Sequence, residues 1–202
     1  LISEAVFARG LSARKEERTQ AAALYGRSVR RCGEEERETI LESLRQAVYA
    51  AKIVSYAQGF DLLRAAAEQY GWELDYGGIA LLWRGGCIIR SAFLGDIKAA
   101  FDRRPDLPNL LVDSHFQREM ERREEGWRAV VARAVCSGLP VPALSSALAY
   151  FDSYTCASLP ANLLQGQRDY FGAHTYERTD RPRGEFFHTQ WQKPGEDQLK
   201  NC

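Results

Sequence analysis

Four arginines stand among apolar or uncharged neighbours, and arginine is the side chain best suited to grip an oxyanion. Arg9 lies in Ala5-Val6-Phe7-Ala8-Arg9-Gly10-Leu11, and Arg84 and Arg90 flank Gly85-Gly86-Cys87-Ile88-Ile89. Arg168 lies in Gln167-Arg168-Asp169-Tyr170-Phe171-Gly172-Ala173-His174. A guanidinium taken out of water must meet an anion, because an unpaired buried charge is very costly. Two partners satisfy that need. One is a carboxylate elsewhere in the chain, giving an internal salt bridge. The other is the phosphate or carboxylate of a ligand, which the planar fork holds in a bidentate manner. His174 beside Arg168 favours the ligand, since a protonated imidazole adds a further donor for phosphate.

Other chemistries find little support. The three histidines, His115, His174 and His188, do not pair with another His, Cys or acid at metal-ligand spacing, so no metal site is expected. Five cysteines, at 32, 87, 136, 156 and 202, are odd in number and contain no CxxC. That pattern indicates neither a disulfide framework nor a zinc site; it suits small buried side chains in a reducing, cytoplasmic compartment. Gly85-Gly86 follows no strand, which makes it a weak nucleotide signal, and no serine sits on a strand–turn–helix elbow. With 27 basic and 27 acidic residues the formal charge is zero, so nothing global draws the chain to nucleic acid or to an anionic membrane. No apolar run approaches the roughly 20 residues that span a bilayer, and the early Arg14-Lys15-Glu16-Glu17-Arg18 argues against a secretory leader. Residue by residue, the chain shows no catalytic apparatus of its own.

The elements that must carry these arginines follow a helical period. Ile2, Val6, Phe7 and Leu11 predict a helix from Leu1 to Leu24, ended by Tyr25-Gly26. Gly26 to Glu38 has no apolar period and reads as a solvated loop. From Thr39, a candidate N-cap with Glu42 three residues on, a long helix is expected to about Tyr70; at 1.5 Å per residue it would be about 48 Å long. A helix of that length is the spine of a helical array. Gly59 within it costs about 1 kcal/mol relative to Ala unless another backbone approaches there. Ile79-Ala80-Leu81-Leu82-Trp83 is apolar all round and therefore expected to be buried. Helices are then predicted from Cys87 to Arg104, from His115 to Ser137, from Pro142 to Tyr154, and from Pro160 through Tyr170. No alternation lasts long enough for a strand. The class is all-α, a multi-helix array with one long central helix.

The period stops after Gly172. Residues 173–202 hold Tyr176, Phe186, Phe187, His188 and Trp191, poor company for a solvated terminus. We therefore expect a helical domain over 1–171 and an extended tail over 172–202 that docks on another subunit. The only Met is Met120 and the chain opens at Leu1 inside a helical pattern, which reads as a piece of a longer polypeptide.

Several blocks resemble the C-terminal half of the decarboxylating 6-phosphogluconate dehydrogenases. They are Tyr76-Gly77-Gly78-Ile79-Ala80, Trp83-Arg84-Gly85-Gly86-Cys87-Ile88-Ile89-Arg90-Ser91, Leu159-Pro160-Ala161-Asn162-Leu163, and Gln167 through Glu177. Glu4-Ala5-Val6-Phe7-Ala8-Arg9 and Ser55-Tyr56-Ala57-Gln58-Gly59-Phe60 agree with that family too, and the likeness runs from Leu1 to about Trp191. In such a protein Gly85-Gly86 is a packing feature between helices.

The resemblance implies an NADP-dependent oxidoreductase of the pentose phosphate pathway. Such enzymes oxidise the C3 hydroxyl of 6-phosphogluconate, and the β-keto acid loses carbon dioxide to give ribulose 5-phosphate. The family's Rossmann domain, which binds most of the NADP, and its catalytic Lys base and Glu acid would lie upstream of Leu1, leaving no catalytic residue here. A chain limited to these residues is then expected to be inactive by itself. It would supply substrate-phosphate binding and dimerisation as a homodimer with exchanged tails. By the same resemblance Arg9 matches the arginine that grips the substrate phosphate within its own subunit, and Arg168 with His174 matches the pair delivered from the partner. Charged hydrogen bonds of roughly 1.5–3 kcal/mol each make the loss of one arginine worth a ten- to hundredfold weakening. After Trp191 this chain continues Gln192 to Cys202 in place of a Gly- and Ser-rich end, and no cofactor contact is assigned to that stretch. The alternative from another class is a non-catalytic helical module that dimerises or binds a phosphorylated metabolite.

Overall fold

A computed structural model describes residues 1–26, 33–192 and 197–200 of the chain. The fold is all-α with one long central helix, as the periodicity predicts, and it divides into two compact units, Leu1–Asp152 and Ser153–Cys202.

The first unit opens with α1 (Ile2–Ala13) and α2 (Lys15–Tyr25) in place of one helix to Leu24. Arg14, with ψ of 56°, breaks the run. The break is locally satisfied. Glu16 and Glu17 favour the positively polarised start of α2, the Arg14 Nε donates to Glu17 at 3.1 Å, and Arg18 donates to the Ser12 carbonyl at 3.1 Å. Gly26, at φ 57°, supplies the left-handed residue that ends α2. Residues 27–32 of the solvated loop expected from Gly26 to Glu38 lie outside the described residues, and its end is helical instead: a short 3-10 turn over Glu34–Glu36 runs into the next helix at Arg37.

The spine is α3 (Arg37–Tyr70), whose 34 residues span about 51 Å. It begins two residues before Thr39. Glu42 gives its carboxylate to Arg45 and Gln46, so the expected capping box does not form. Small residues on one face (Ala47, Ala50, Ala51 and Ala57) are buried with Ile53, Val54, Tyr56 and Phe60, and α7 (Glu124–Cys136) packs along α3. Phe93, Phe116 and Trp127 are all but fully buried in the same core, each worth roughly 1.5–3 kcal/mol of apolar burial.

Next comes α4 (Tyr76–Leu82), capped by Asp75, whose carboxylate accepts from Gly78 N at 2.9 Å. The expectation that Ile79 to Trp83 is buried all round is not met: Ala80 is buried but Leu82 is 74% exposed. The helix expected over Cys87–Arg104 is also shorter, since α5 covers only Leu94–Arg103. Gly86 turns left-handed at φ 68°, and the Tyr56 hydroxyl donates to the Ile89 carbonyl, holding residues 87–93 in turns. The run from His115 to Ser137 divides into α6 (Ser114–Glu121) and α7. Asp113 caps α6 by accepting from His115 N at 2.9 Å and is itself paired with Arg103 at 2.7 Å. Finally α8 (Pro142–Tyr154) follows the sequence expectation to the residue.

The second unit holds α9 (Asn162–Gly172) and three short antiparallel strands, β1 (Tyr176–Glu177), β2 (Phe186–Thr189) and β3 (Asp197–Lys200), in the order β1-β2-β3. These strands correct the reading that none exist. Two to four residues are too few for alternation to register, and Tyr176 pairs with Phe187 in a ladder closed by tertiary contact.

Candidate functional site

The four arginines singled out from the sequence are all exposed rather than buried. Arg9 lies on α1, beside the exposed Ile2, Val6, Phe7 and Leu11. Among the described residues no carboxylate pairs with Arg9, Arg84, Arg90 or Arg168, whereas Arg45, Arg64, Arg103, Arg123 and Arg128 are each paired with one. Among the described residues, then, none of these four guanidiniums forms the internal salt bridge. Arg84 and Arg90 share a shallow recess with Ser91 and Ala92.

Arg168 and His174 sit in the second unit, on either side of a sharp turn. Arg168 projects from the last turns of α9 and donates from Nη1 to Gln165 Oε1 at 3.2 Å. His174 follows the helix end, between Ala173 at φ 50° and Thr175 at φ 62°. Left-handed backbone is unusual for alanine and rare for a β-branched threonine, and such residues cost about 1–3 kcal/mol each unless the surroundings impose them. The imidazole lies over Gly172. A Cβ there would stand 2.9 Å from His174 Nε2, so only glycine leaves the ring this place. His174 also lines a cleft of about 1260 Å³ with Asn162, Gln165, Tyr176, Glu177 and Trp191.

What imposes the turn is Asp169, which sequence reasoning passed over. Its side chain is wholly buried and takes four donors. Thr175 N and His188 Nδ1 approach Oδ1 at 3.0 Å each, and Thr189 N and Trp191 Nε1 approach Oδ2 at 3.0 Å each. Burial pushes this carboxyl up, but the hydrogen bonds from His188, Thr189, Trp191 and Thr175 outweigh it and hold it below the ordinary value. It therefore stays ionised, and His188 must carry its proton on Nδ1. One acid thus fastens the end of α9 to the turn and to β2. No spacing signal marks it, because its partners lie 6 to 22 residues downstream.

The exposure of α9 is inverted. Leu163, Leu164, Tyr170 and Phe171 are 83%, 60%, 61% and 76% exposed, while the acid is buried. The tail aromatics expected to need a partner surface are partly served at home: Phe187 is buried and Trp191 bonds Asp169.

The family model for the 6-phosphogluconate dehydrogenase C-terminal domain matches residues 1–191. The chain belongs to this family. Among curated relatives, the decarboxylating 6-phosphogluconate dehydrogenase of Treponema pallidum is 55% identical over 98% of this chain and 42% of its own length. That of Mus musculus is 56% identical over 95% and 39%, respectively. An NADP(+)-dependent, decarboxylating member from Bacillus subtilis is 54% identical over 96% and 41%. The solved Plasmodium falciparum 6-phosphogluconate dehydrogenase, described in its apo form and in complexes with NADP+ and with 6-phosphogluconate, superposes with a TM-score of 0.85. It is 40% identical, and the match covers 93% of this chain and 40% of that one. The chain thus spans 39% to 42% of the length of these curated 6-phosphogluconate dehydrogenases.

Among the described residues no glycine-rich turn follows a strand. The described strands all lie after residue 175, and Gly85-Gly86 sits in a turn between α4 and α5 rather than after a strand. Among the described residues no helix is long and apolar enough to cross a membrane.

Proposed function

We propose that this chain is the substrate-clamping and dimerising part of a cytoplasmic 6-phosphogluconate dehydrogenase. The complete polypeptide would convert 6-phosphogluconate to ribulose 5-phosphate and carbon dioxide while reducing NADP, which is held mainly outside this chain. Arg9 would grip the substrate phosphate within one subunit, and Arg168 with His174 would reach the same phosphate from the partner. A phosphate dianion leaving water needs strong donors, and binding energy collected at that remote group positions C3 for reaction.

The observation that carries this reading is that Arg9 and Arg168 are exposed and, among the described residues, pair with no carboxylate, in a member of this family. Guanidiniums that no carboxylate neutralises, in a chain of balanced charge, are poised for an external anion. The uncovered apolar faces of α1 and α9 support a second copy as the surface on which the 172–202 tail docks in a homodimer.

The test is Arg168→Ala in the complete polypeptide. Loss of one charged donor raises the KM for 6-phosphogluconate at least about tenfold, with the dimer intact by sedimentation. An unchanged KM removes Arg168 from the site. A purified sample of these 202 residues alone is expected to make no NADPH; measurable turnover would contradict the division of labour.

A further inference from the structure

The two ligands proposed for the phosphate, Arg168 and His174, stand on opposite sides of a backbone reversal that the chain does not adopt willingly. Thr175 at φ 62° is a β-branched residue in left-handed backbone, and Ala173 at φ 50° precedes it by two. Both polar groups of the Thr175 backbone are taken by side chains of α9. Its N–H donates to Asp169 Oδ1 at 3.0 Å, and its carbonyl accepts from Gln165 Nε2. Gln165 has a second bond, because its Oε1 accepts from Arg168 Nη1 at 3.2 Å. One amide, one helical turn before Asp169, therefore touches the guanidinium on one side and the turn bearing the imidazole on the other.

We propose that Gln165 and Asp169 are positioning residues that lock Arg168 and His174 into one preformed anion grip. The inference rests on the reading of Arg168 and His174 as phosphate ligands. Without the clamp, Thr175 relaxes to ordinary backbone, His174 leaves its seat over Gly172, and Arg168 regains the freedom of its long side chain. A grip that must be assembled on binding loses affinity to that ordering, whereas a preformed one does not. Gln165 is the sharper probe. It is half-buried and outside the apolar core, whereas Asp169 is wholly buried and also holds Thr189 and Trp191.

In the complete polypeptide, Gln165→Ala raises the KM for 6-phosphogluconate about fivefold or more, with the KM for NADP+ and the thermal midpoint unchanged. Asp169→Asn raises it further and lowers the midpoint. In an Arg168→Ala/His174→Ala background, Gln165→Ala adds less than about twofold, because the side chains it positions are gone. An unaltered KM in Gln165→Ala, alongside an Arg168→Ala variant that does raise it, overturns the positioning role and leaves the phosphate reading standing. So does an undiminished Gln165→Ala effect in the double-alanine background. If Arg168→Ala and His174→Ala themselves leave the KM unaltered, the phosphate reading falls and the clamp falls with it.

Discussion

His188 Nδ1 stands 3.0 Å from Oδ1 of Asp169, a carboxylate with no exposed surface. The contact ties the second strand of the tail to the end of α9. The same oxygen receives the Thr175 amide, so the fold of the tail and the shape of the His174 turn depend on one ionised group.

That dependence has a pH signature. Asp169 is held below its ordinary 3.8 in the folded chain. A carboxyl depressed by folding contributes stability that is complete above its unfolded value and is lost as pH falls through the folded one. Amide exchange at Thr175 and Thr189 is expected to stay protected from neutral pH down to about 4 and to lose protection below it. In Asp169→Asn, protection is already reduced at neutral pH and nearly flat across that window. A wild-type chain whose protection does not fall below pH 4 refutes the assignment.

The Tyr56 hydroxyl predicts a different local event. Burial, with the Cys87 thiol nearby, pushes this phenol up, so at neutral pH it is a donor, and it holds the Ile89 carbonyl. Tyr56→Phe is expected to cost about 1–2 kcal/mol. The half-buried Cys87 should then react faster with a thiol reagent such as DTNB, while labelling of the exposed Cys136 and Cys156 is unchanged. Equal Cys87 rates in the two proteins would show that the hydroxyl does not restrain residues 87–93.

Gly59 lies inside α3, and among the described residues no atom beyond its chain neighbours and the adjoining helix backbone comes within 4 Å of the position a Cβ would occupy. The backbone approach that could justify a glycine is absent among the described residues. Gly59→Ala is expected to stabilise this chain by about 1 kcal/mol through helix propensity, read as a higher urea midpoint. A lower midpoint would mean that something does need the space.

The sequence by itself determined the all-α class, the spine of α3, the bounds of α8 and the family. These rest on local rules. Apolar period, proline at a first turn and glycine at a helix end act within a few residues, and the family blocks are contiguous. The tertiary structure decided the rest. Arg14 and the Arg122–Arg123 pair divide helices whose apolar period runs straight through them, because period reports a face and not a kink. Residues 87–93 lose their helix to a bond from Tyr56, more than thirty residues away. On α9 the acid at 169 is buried while the leucines at 163 and 164 are exposed. Which side of a helix is inside depends on what the rest of the chain brings against it, and here that is four donors converging on one carboxylate.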